Sequence, residues 1–446
     1  MKTSKSRAKA KPKAKKKRGR AKAVALPAEY NLLLTATLCL LALGAVMVFS
    51  ASSTTQVLSD GSLSNSTLYL KRTLMFGVVG LLVMHFAARG GLTAVRRLTP
   101  ALLLGSLFLL LVVLGAGNSA NGASRWIGAG PLQFQPSELA KVALILYGAD
   151  LLARKPKMTR SVRDLRPYLL VVGVACVLIV AEPDMGTAMV VAFSAAVLLI
   201  AAGVSPRDLG LIALCVGALA LLVAVVEPYR MARLTSFLHP SADPTGAGFQ
   251  AAQAKIALGS GGFLGVGIGN GTAKAGFLPE AHTDMISAVI GEELGMFGIL
   301  GVVGLFGLFG YAGLRVAQRA RDRYSKLLVA GLTSLVLVQA TINLFAVMGL
   351  APLTGVPLPF VSYGNSSLMA TLLAVGLILN VARGGTAKAA AGSTPSRAGK
   401  LRVVQGGREP ARERSRSSGA RKAKSGGGGG RNRRPRSAGH SRRRRA

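Results

Sequence analysis

Four polar side chains crowd the centre of the segment between Gly259 and Gly295, just before a long apolar run. They are Glu280, His282, Thr283 and Asp284, and two further acids, Glu292 and Glu293, follow inside the apolar run. Carboxylates beside a run of apolar residues lose hydration and are costly unless something pairs with them. This concentration of acids therefore predicts a functional site around which the chain is organised.

Asp284 is the sharpest candidate for chemistry in this segment. Partial desolvation raises the pKa of a carboxylate at such a boundary, which suits a general base. The alternative is that Asp284 caps the start of the helix that follows. A metal site built on His282 and Asp284 is weakly supported, because two candidate ligands stand without a third.

The loop before Asp284 is rich in glycine and carries basic residues. Its GVGIGNG stretch lacks the third glycine of a dinucleotide fingerprint, so the glycines are expected to let the backbone approach a ligand or turn tightly. Lys255 and Lys274, with Arg230 and Arg233, could face phosphate groups. An isolated basic residue is more often simply a solvated charge.

A second polar cluster precedes another apolar run. Arg125 and Trp126 lie shortly before QPSELAK, in which Glu138 and Lys141 are three residues apart and share one helix face. They could form a buried ion pair that holds two helices together. They could also place Lys141 near an anionic ligand with Glu138 orienting it, and the two interpretations are compatible.

A third segment, PLPFVSYGNSS, has prolines and a glycine that break a helix. The hydroxyl of Ser362 and its neighbours could bind polar groups of a ligand. A re-entrant turn with a serine N-cap explains the same composition equally well.

Apolar runs of about twenty residues, the length that crosses a bilayer, recur along most of the chain. Half of the 446 residues are hydrophobic. We therefore predict an all-α polytopic membrane protein with about ten transmembrane helices and a large extracellular loop between spans seven and eight, at about 227–283. The predicted spans are about 30–50, 69–88, 100–117, 138–153, 167–180, 185–202, 209–226, 284–314, 327–349 and 368–381.

The net charge of +38 comes mostly from the two ends. Residues 1–24 hold 12 Lys or Arg, and residues 384–446 hold 19. Regions 1–27 and 384–446 have no apolar periodicity and are predicted to be disordered tails around a membrane domain at 28–383. Basic segments beside spans bind anionic lipid and remain cytoplasmic, so the tails and the basic loops are expected inside and no nucleic-acid partner is expected.

Four motifs make the sequence recognisable. They are RWIGAGPLQFQPSELAK, AEPDMGTAM, GSGGFLGVGIGNGTAKAGFLPEAHTDMISAVIGEELG and PLPFVSYGNSS. In this order, over about residues 28–383, they resemble the SEDS family (shape, elongation, division and sporulation) of cell-wall polymerases. GNGTAK followed by PEAHTD is more similar to its division members than to its elongation members, and the long basic tails resemble those of actinobacterial members.

The resemblance implies a peptidoglycan glycosyltransferase that polymerises lipid II into glycan strands during septal cell-wall synthesis. It implies Asp284 as the base for the acceptor sugar's 4-hydroxyl. It also matches Arg125, Trp126, Glu138, Lys141 and Ser362 to motif positions of the family. Together with Lys255, Lys274, Glu280 and His282 from the glycine-rich segment, these residues form the predicted substrate-binding set. The chain departs from the family pattern with Asn365 in the SYGNSS turn and with Met285, Ile286 and Ser287 after the key Asp.

The resemblance also implies partners and a location. Lipid II and an undecaprenyl-diphosphate-linked glycan are the expected substrates, with no protein-held metal, although a divalent cation (Mg²⁺ or Mn²⁺) could offset diphosphate charge. A class B penicillin-binding protein transpeptidase and other divisome proteins are the expected partners, at the septum in the cytoplasmic membrane. The alternatives are a lipid II flippase and a division scaffold.

Overall fold

The computed structural model describes residues 26–60, 66–120, 123–128, 133–226, 231, 235–238 and 247–392, and helices dominate them as the sequence predicts. The helices are α1 (Ala28–Asp60), α2 (Ser66–Arg89), α3 (Leu92–Ala116), α4 (Pro136–Arg154), α5 (Val162–Ala181), α6 (Met185–Ala202), α7 (Pro206–Val226), α8 (Ala247–Ser260), α9 (Ile286–Arg319), α10 (Arg323–Val347) and α11 (Asn365–Gly392). A short 3₁₀ helix, Pro156–Arg160, joins α4 to α5. A small antiparallel hairpin pairs β1 (Asn118–Ala120) with β2 (Ala123–Trp126).

All the predicted spans except two coincide with helices that are long and apolar enough to cross a membrane. Within the described residues there are eight such helices. The predicted fourth and seventh spans are present as α4 and α7. The α4 helix is less apolar because it carries Glu138, Lys141 and Asp150, and this is the first sign that it holds polar groups inside the bundle.

The predicted loop at 227–283 agrees with the structure, since α7 ends at Val226 and the next membrane-length helix, α9, begins at Ile286; the loop contains the short helix α8. Other predicted boundaries were wrong, and α3 begins at Leu92 rather than at Pro100. Membrane helices accommodate an internal proline because neighbouring groups satisfy the freed backbone. The α11 helix runs to Gly392, so the first residues predicted as the C-terminal tail are helical. Residues 1–25 and 393–446, which hold most of the predicted tails, lie outside the described residues.

The α10 helix lies at the centre of the bundle. It packs against α4, α6, α9 and α11, and most of its residues are buried. The α2 helix packs along α11 and α1 on one side of the bundle. Because other helices surround α10, its polar side chains have to find partners inside the protein.

The α9 helix is broken by the loop that precedes it. Gly295 has φ 66° and ψ −162°, which interrupts the helix inside its apolar run. The loop supplies the missing partners: Val266 N and Gly267 N donate to the carbonyls of Glu292 and Glu293, both at 3.0 Å, and Met296 N donates to Gly262 O at 3.0 Å. Non-helical backbone at membrane depth is tolerated only where protein buries and satisfies it in this way.

The break predicts a sharp difference between two glycines of α9. A methyl group at Gly295 would lie 2.4 Å from Gly265 N and 2.5 Å from Phe263 O, and the left-handed φ adds strain. Gly295→Ala should therefore lower the free energy of unfolding by roughly 2–5 kcal/mol. Gly301, where no atom of the described residues lies within 4 Å of an added methyl, is the matched control. Equal unfolding midpoints for Gly295→Ala and Gly301→Ala in detergent would contradict this account.

Candidate active site

The three segments singled out in the sequence meet at one end of the bundle, which we call the loop end. Gln135 N donates to Ser366 Oγ at 3.1 Å, which joins the segment before α4 to the start of α11. Tyr363 N donates to His282 O at 3.0 Å, which joins the α10–α11 connection to the Asp284 segment. The predicted convergence is therefore present in the structure.

A fourth segment, the turn between α5 and α6, belongs to the same end. Asp184 caps α6 through Thr187 N at 3.1 Å and accepts from Gln135 Nε2, also at 3.1 Å. Gly186 packs so closely under Thr354 and Val356 that a methyl group there would lie 2.5 Å from Thr354 O. The AEPDMG motif was the available sequence signal, but nothing in its spacing pointed to contact with the α10–α11 connection.

Asp284 lies half-buried in the turn just before α9. The N-cap residue of α9 is Met285, so the alternative that Asp284 caps this helix is wrong. Thr283 Oγ1 lies 2.9 Å from Glu280 Oε2 and 3.3 Å from Asp284 Oδ1, so its single hydrogen is shared between two carboxylates. A methyl group at Gly355 would lie 3.8 Å from Asp284 Oδ2, so the backbone of the α10–α11 connection faces this carboxylate without a side chain between them.

His282 forms an aromatic cluster beside Asp284. Its ring centroid lies 4.7 Å from that of Tyr69 on α2 and 5.7 Å from that of Tyr363. Burial lowers the pKa of His282, against the opposing effect of Glu280, so the imidazole is favoured in its neutral form. Tyr69 was missed in the sequence because it lies more than 200 residues before its partners.

Glu138 and Lys141 form the ion pair that their spacing predicts. Lys141 Nζ lies 2.9 Å from Glu138 Oε2, and both side chains are almost fully buried. Lys141 Nζ also donates to Gln339 Oε1 on α10 at 2.8 Å, so the pair joins α4 to α10. A cavity beside it is lined by both charged residues, by Gln339 and by Thr371.

Lys274 occupies a different environment from the phosphate-facing position predicted for it. Its side chain is 1% exposed, and Nζ lies 2.6 Å from Glu293 Oε1 and 2.9 Å from Ser50 Oγ on α1. Ser50 Oγ in turn donates to Glu293. Lys274 therefore connects the glycine-rich loop to α1 and α9, and Glu293 neutralises its charge.

Glu292 fastens the same loop in a second place. Its Oε1 accepts from Thr272 N at 2.7 Å and from Ala273 N at 3.1 Å. The two acids that the sequence placed in the apolar run are thus both satisfied by the glycine-rich loop, which explains how they tolerate burial.

The remaining predicted binding residues divide between exposed and structural positions. Lys255 is an exposed residue of α8, and its side chain covers Gly349 so closely that a methyl group there would lie 2.1 Å from Cε. Ser362 Oγ accepts from Leu358 N at 2.8 Å, which closes the predicted re-entrant turn. Arg125 donates to the carbonyls of Glu182, at 3.2 Å, and Pro183.

Trp126 and Glu280 complete the predicted set. Trp126 ends strand β2 and is half-buried. Glu280 is exposed and has a positive φ of 55°, beside Thr283. Arg230 and Arg233 lie outside the described residues.

Glu182 is buried in the α5–α6 turn, and neither of its carboxylate oxygens has a hydrogen-bond partner among the residues that the structure describes. Burial and, to a smaller extent, the nearby Asp184 carboxylate raise the pKa of Glu182 to about 8, against the opposing effect of the Arg125 guanidinium.

No group of three His, Cys, Asp or Glu side chains comes together among the residues that the structure describes. The donors present there do not make a metal cage.

Comparisons with known proteins agree on one family. The family model described as "Cell cycle protein", which covers FtsW, RodA and SpoVE, matches residues 30–386. A probable peptidoglycan glycosyltransferase FtsW of Geobacter sp. (strain M18) is 41% identical over 78% of this chain and 95% of the relative. Stage V sporulation protein E of Bacillus subtilis is 39% identical over 79% of this chain and 96% of the relative.

Solved structures show the same similarity. A chain of a peptidoglycan synthase complex, described as coordinating polymerization and crosslinking, superimposes with a TM-score of 0.66 at 31% identity, covering 79% of this chain and 96% of that one. The rod shape determining protein RodA of Thermus thermophilus gives a TM-score of 0.58 at 29% identity, covering 79% of this chain and 95% of that one.

The buried Lys274–Glu293 pair makes a prediction about stability. Lys274→Met leaves an uncompensated buried carboxylate and should cost roughly 3–5 kcal/mol of unfolding free energy. The double variant Lys274→Met/Glu293→Gln should recover part of that loss, whereas Lys255→Met on the exposed face of α8 should stay near wild type. Unfolding midpoints in detergent measure these three variants and the single variant Glu293→Gln. A loss in the double variant equal to the sum of the losses in Lys274→Met and Glu293→Gln would refute the pairing.

Glu182 makes a prediction about pH. Its folded pKa of about 8 exceeds the ordinary 4.5, so the unfolded chain ionises first as pH rises. The free energy of unfolding therefore falls as pH rises from about 4.5 to about 8, and it stops falling above the folded pKa. Glu182→Gln cannot ionise, so the difference between its melting temperature and that of wild type should shift in favour of the variant as pH rises over this range. Parallel melting curves over the whole range would show that Glu182 is not held neutral by the fold.

Proposed function

Because this chain belongs to the FtsW, RodA and SpoVE family, we infer that it is a peptidoglycan glycosyltransferase, and we propose that it polymerises lipid II during septal wall synthesis. The observation that carries the proposal is the position of Asp284. Its half-buried carboxylate lies where the segments after α3, α8 and α10 meet, opposite the bare backbone of Gly355. Such a site can hold an acceptor hydroxyl within reach of a base while limiting water.

In the proposed reaction, the growing glycan on its undecaprenyl diphosphate is the donor and lipid II is the acceptor. The 4-hydroxyl oxygen of the acceptor attacks the anomeric carbon of the donor, and the bond from that carbon to the diphosphate oxygen breaks. Asp284 takes the hydroxyl proton, and the lipid diphosphate leaves with the bonding electrons. The anomeric configuration inverts because attack and departure occur on opposite faces.

The charge of the departing diphosphate needs a cation. Lys274 is neutralised by Glu293, and Lys141 is shared with Glu138, whereas the exposed Lys255 lies over Gly349 at the start of the α10–α11 connection. We therefore assign the clearest diphosphate contact to Lys255, with Arg125 as a second. A divalent cation carried by the diphosphate itself would add to this role, since Mg²⁺ is commonly bound through substrate phosphates.

The proposal extends to location and partners. The basic connections α2–α3, α4–α5 and α9–α10 lie opposite the loop end in a chain of alternating spans, which supports a cytoplasmic basic end and an outward-facing site in the cytoplasmic membrane. A class B penicillin-binding protein is the proposed transpeptidase partner, since a similar chain belongs to a peptidoglycan synthase complex that coordinates polymerization and crosslinking. Recruitment to the septum would involve other divisome proteins, and the basic tails would bind anionic lipid.

The decisive variant is Asp284→Asn, which removes the base while keeping the size of the side chain. Loss of a catalytic base should slow polymerisation of labelled lipid II by ~10²–10⁴-fold and leave the melting temperature near wild type. Asp164→Asn, an exposed acid in the first turn of α5, is the control and should polymerise normally. The assay uses the full chain in proteoliposomes, with and without the candidate transpeptidase.

Three outcomes would overturn the proposal in whole or in part. Wild-type polymerisation by Asp284→Asn would remove Asp284 as the base. If labelled lipid II crossed the bilayer and no glycan formed under any partner condition, the protein would be a flippase. A chain that needs only residues 384–446 for its cellular role would be a scaffold.

A further inference from the structure

Two side-chain amides project from one face of α10 toward the connection that leads to α11. Gln339 and Asn343 are four residues apart, which places them on the same helix face, and both are almost fully buried. Gln339 Nε2 donates to Pro357 O at 3.0 Å, and Asn343 Nδ2 donates to Val356 O at 2.8 Å. Consecutive carbonyls of the connection are thus bound by consecutive turns of the central helix.

Asn343 makes a further contact that Gln339 does not. Its Nδ2 also donates to the backbone carbonyl of Asp284 at 2.7 Å, while its Oδ1 accepts from Ser287 Oγ at 3.0 Å. An amide has two donor hydrogens on nitrogen and acceptor sites on oxygen. Because the two carbonyls can only accept, the nitrogen is the atom that faces them, which leaves Oδ1 to accept from the Ser287 hydroxyl and fixes the amide orientation.

The geometry of the Asp284 carboxylate depends on this contact. Asp284 lies in a turn closed by Thr283 N and Met285 N, which donate to Glu280 O at 3.1 and 3.4 Å. One nitrogen, Asn343 Nδ2, bridges that turn to the Val356 carbonyl, next to the Gly355 backbone that faces the carboxylate. Asn343 therefore sets the separation between Asp284 and the opposite wall of the site.

We propose that Asn343 is a positioning residue for Asp284, acting through the Asp284 carbonyl to fix where the carboxylate meets the acceptor hydroxyl. The inference rests on the proposed role of Asp284 as the base. A general base works within about 2.6–3.2 Å of the proton it takes, and a 1 Å misplacement can cost ~10²-fold in rate. Asn343 needs no contact with substrate to have this effect.

The test variant is Asn343→Asp, which keeps the size of the side chain and the acceptor for Ser287 but replaces the donor by an oxygen. Asn380 offers a matched control, because its Nδ2 donates to the carbonyls of Ala87, at 2.8 Å, and Gly90, far along α11 from the loop end. Asn380→Asp therefore removes the same kind of amide bridge without touching the Asp284 segment.

The measurement is the steady-state polymerisation of labelled lipid II by the full chain in proteoliposomes, with its transpeptidase where needed. Asn343→Asp should lower kcat by ~10–10²-fold while KM changes by less than about threefold, and Asn380→Asp should leave both near wild type. A protonated carboxyl can donate to one of the two carbonyls. The deficit of Asn343→Asp relative to wild type should therefore shrink as pH falls, which a general loss of folding would not produce.

A second readout needs no activity and covers a failure of the first variant to fold. Ser287→Ala removes only the hydroxyl that donates to Asn343 Oδ1. It should speed backbone hydrogen exchange in peptides spanning 280–288 and 353–358, and it should lower kcat by about two- to tenfold. Unchanged exchange in both segments would overturn the proposal, as would wild-type kcat for Asn343→Asp. If wild type made no glycan while Ser287→Ala altered hydrogen exchange as expected, the proposed polymerase activity would be refuted. The contact of Asn343 with the Asp284 segment would still stand.

Discussion

The structure depends on how the backbone N–H and C=O groups freed by a helix break find hydrogen-bond partners inside a membrane. The α9 helix stops being helical at Gly295, and unpaired backbone groups at that depth would each cost several kcal/mol. The glycine-rich loop lies against the break, and its amides bind the carbonyls of Glu292 and Glu293. These hydrogen bonds hold the glycine-rich loop inside the bundle, and the loop leads to Asp284. The position of the candidate site therefore depends on the break in α9.

Buried charges serve the same arrangement. Lys274, Glu293 and Ser50 connect the loop to α1, while Lys141, Glu138 and Gln339 connect α4 to α10. An ion pair that is expensive to bury contributes little net stability, but it penalises every arrangement in which one partner is missing. In this bundle the two pairs fix the register between neighbouring helices. The positions of the loops at the loop end are fixed as a result.

The central helix links these features. Gln339 joins the Lys141–Glu138 pair to Pro357, and one turn later Asn343 joins Asp284 to Val356. The two polar clusters that the sequence suggested are therefore held to one stretch of backbone by one face of α10. A displacement of the backbone at Val356 and Pro357 would therefore disturb both clusters.

The sequence by itself determined the membrane class, most of the spans, the family, the Glu138–Lys141 pair and the candidate role of Asp284. Apolar length and i,i+3 spacing are local properties, and the motifs are contiguous. Only the tertiary structure decided that Lys274 is neutralised by Glu293, that Ser362 closes a turn, and that Asn343 and Tyr69 adjoin the site. Those outcomes depend on contacts between residues distant in sequence, because the partner that satisfies a buried polar group is chosen by packing.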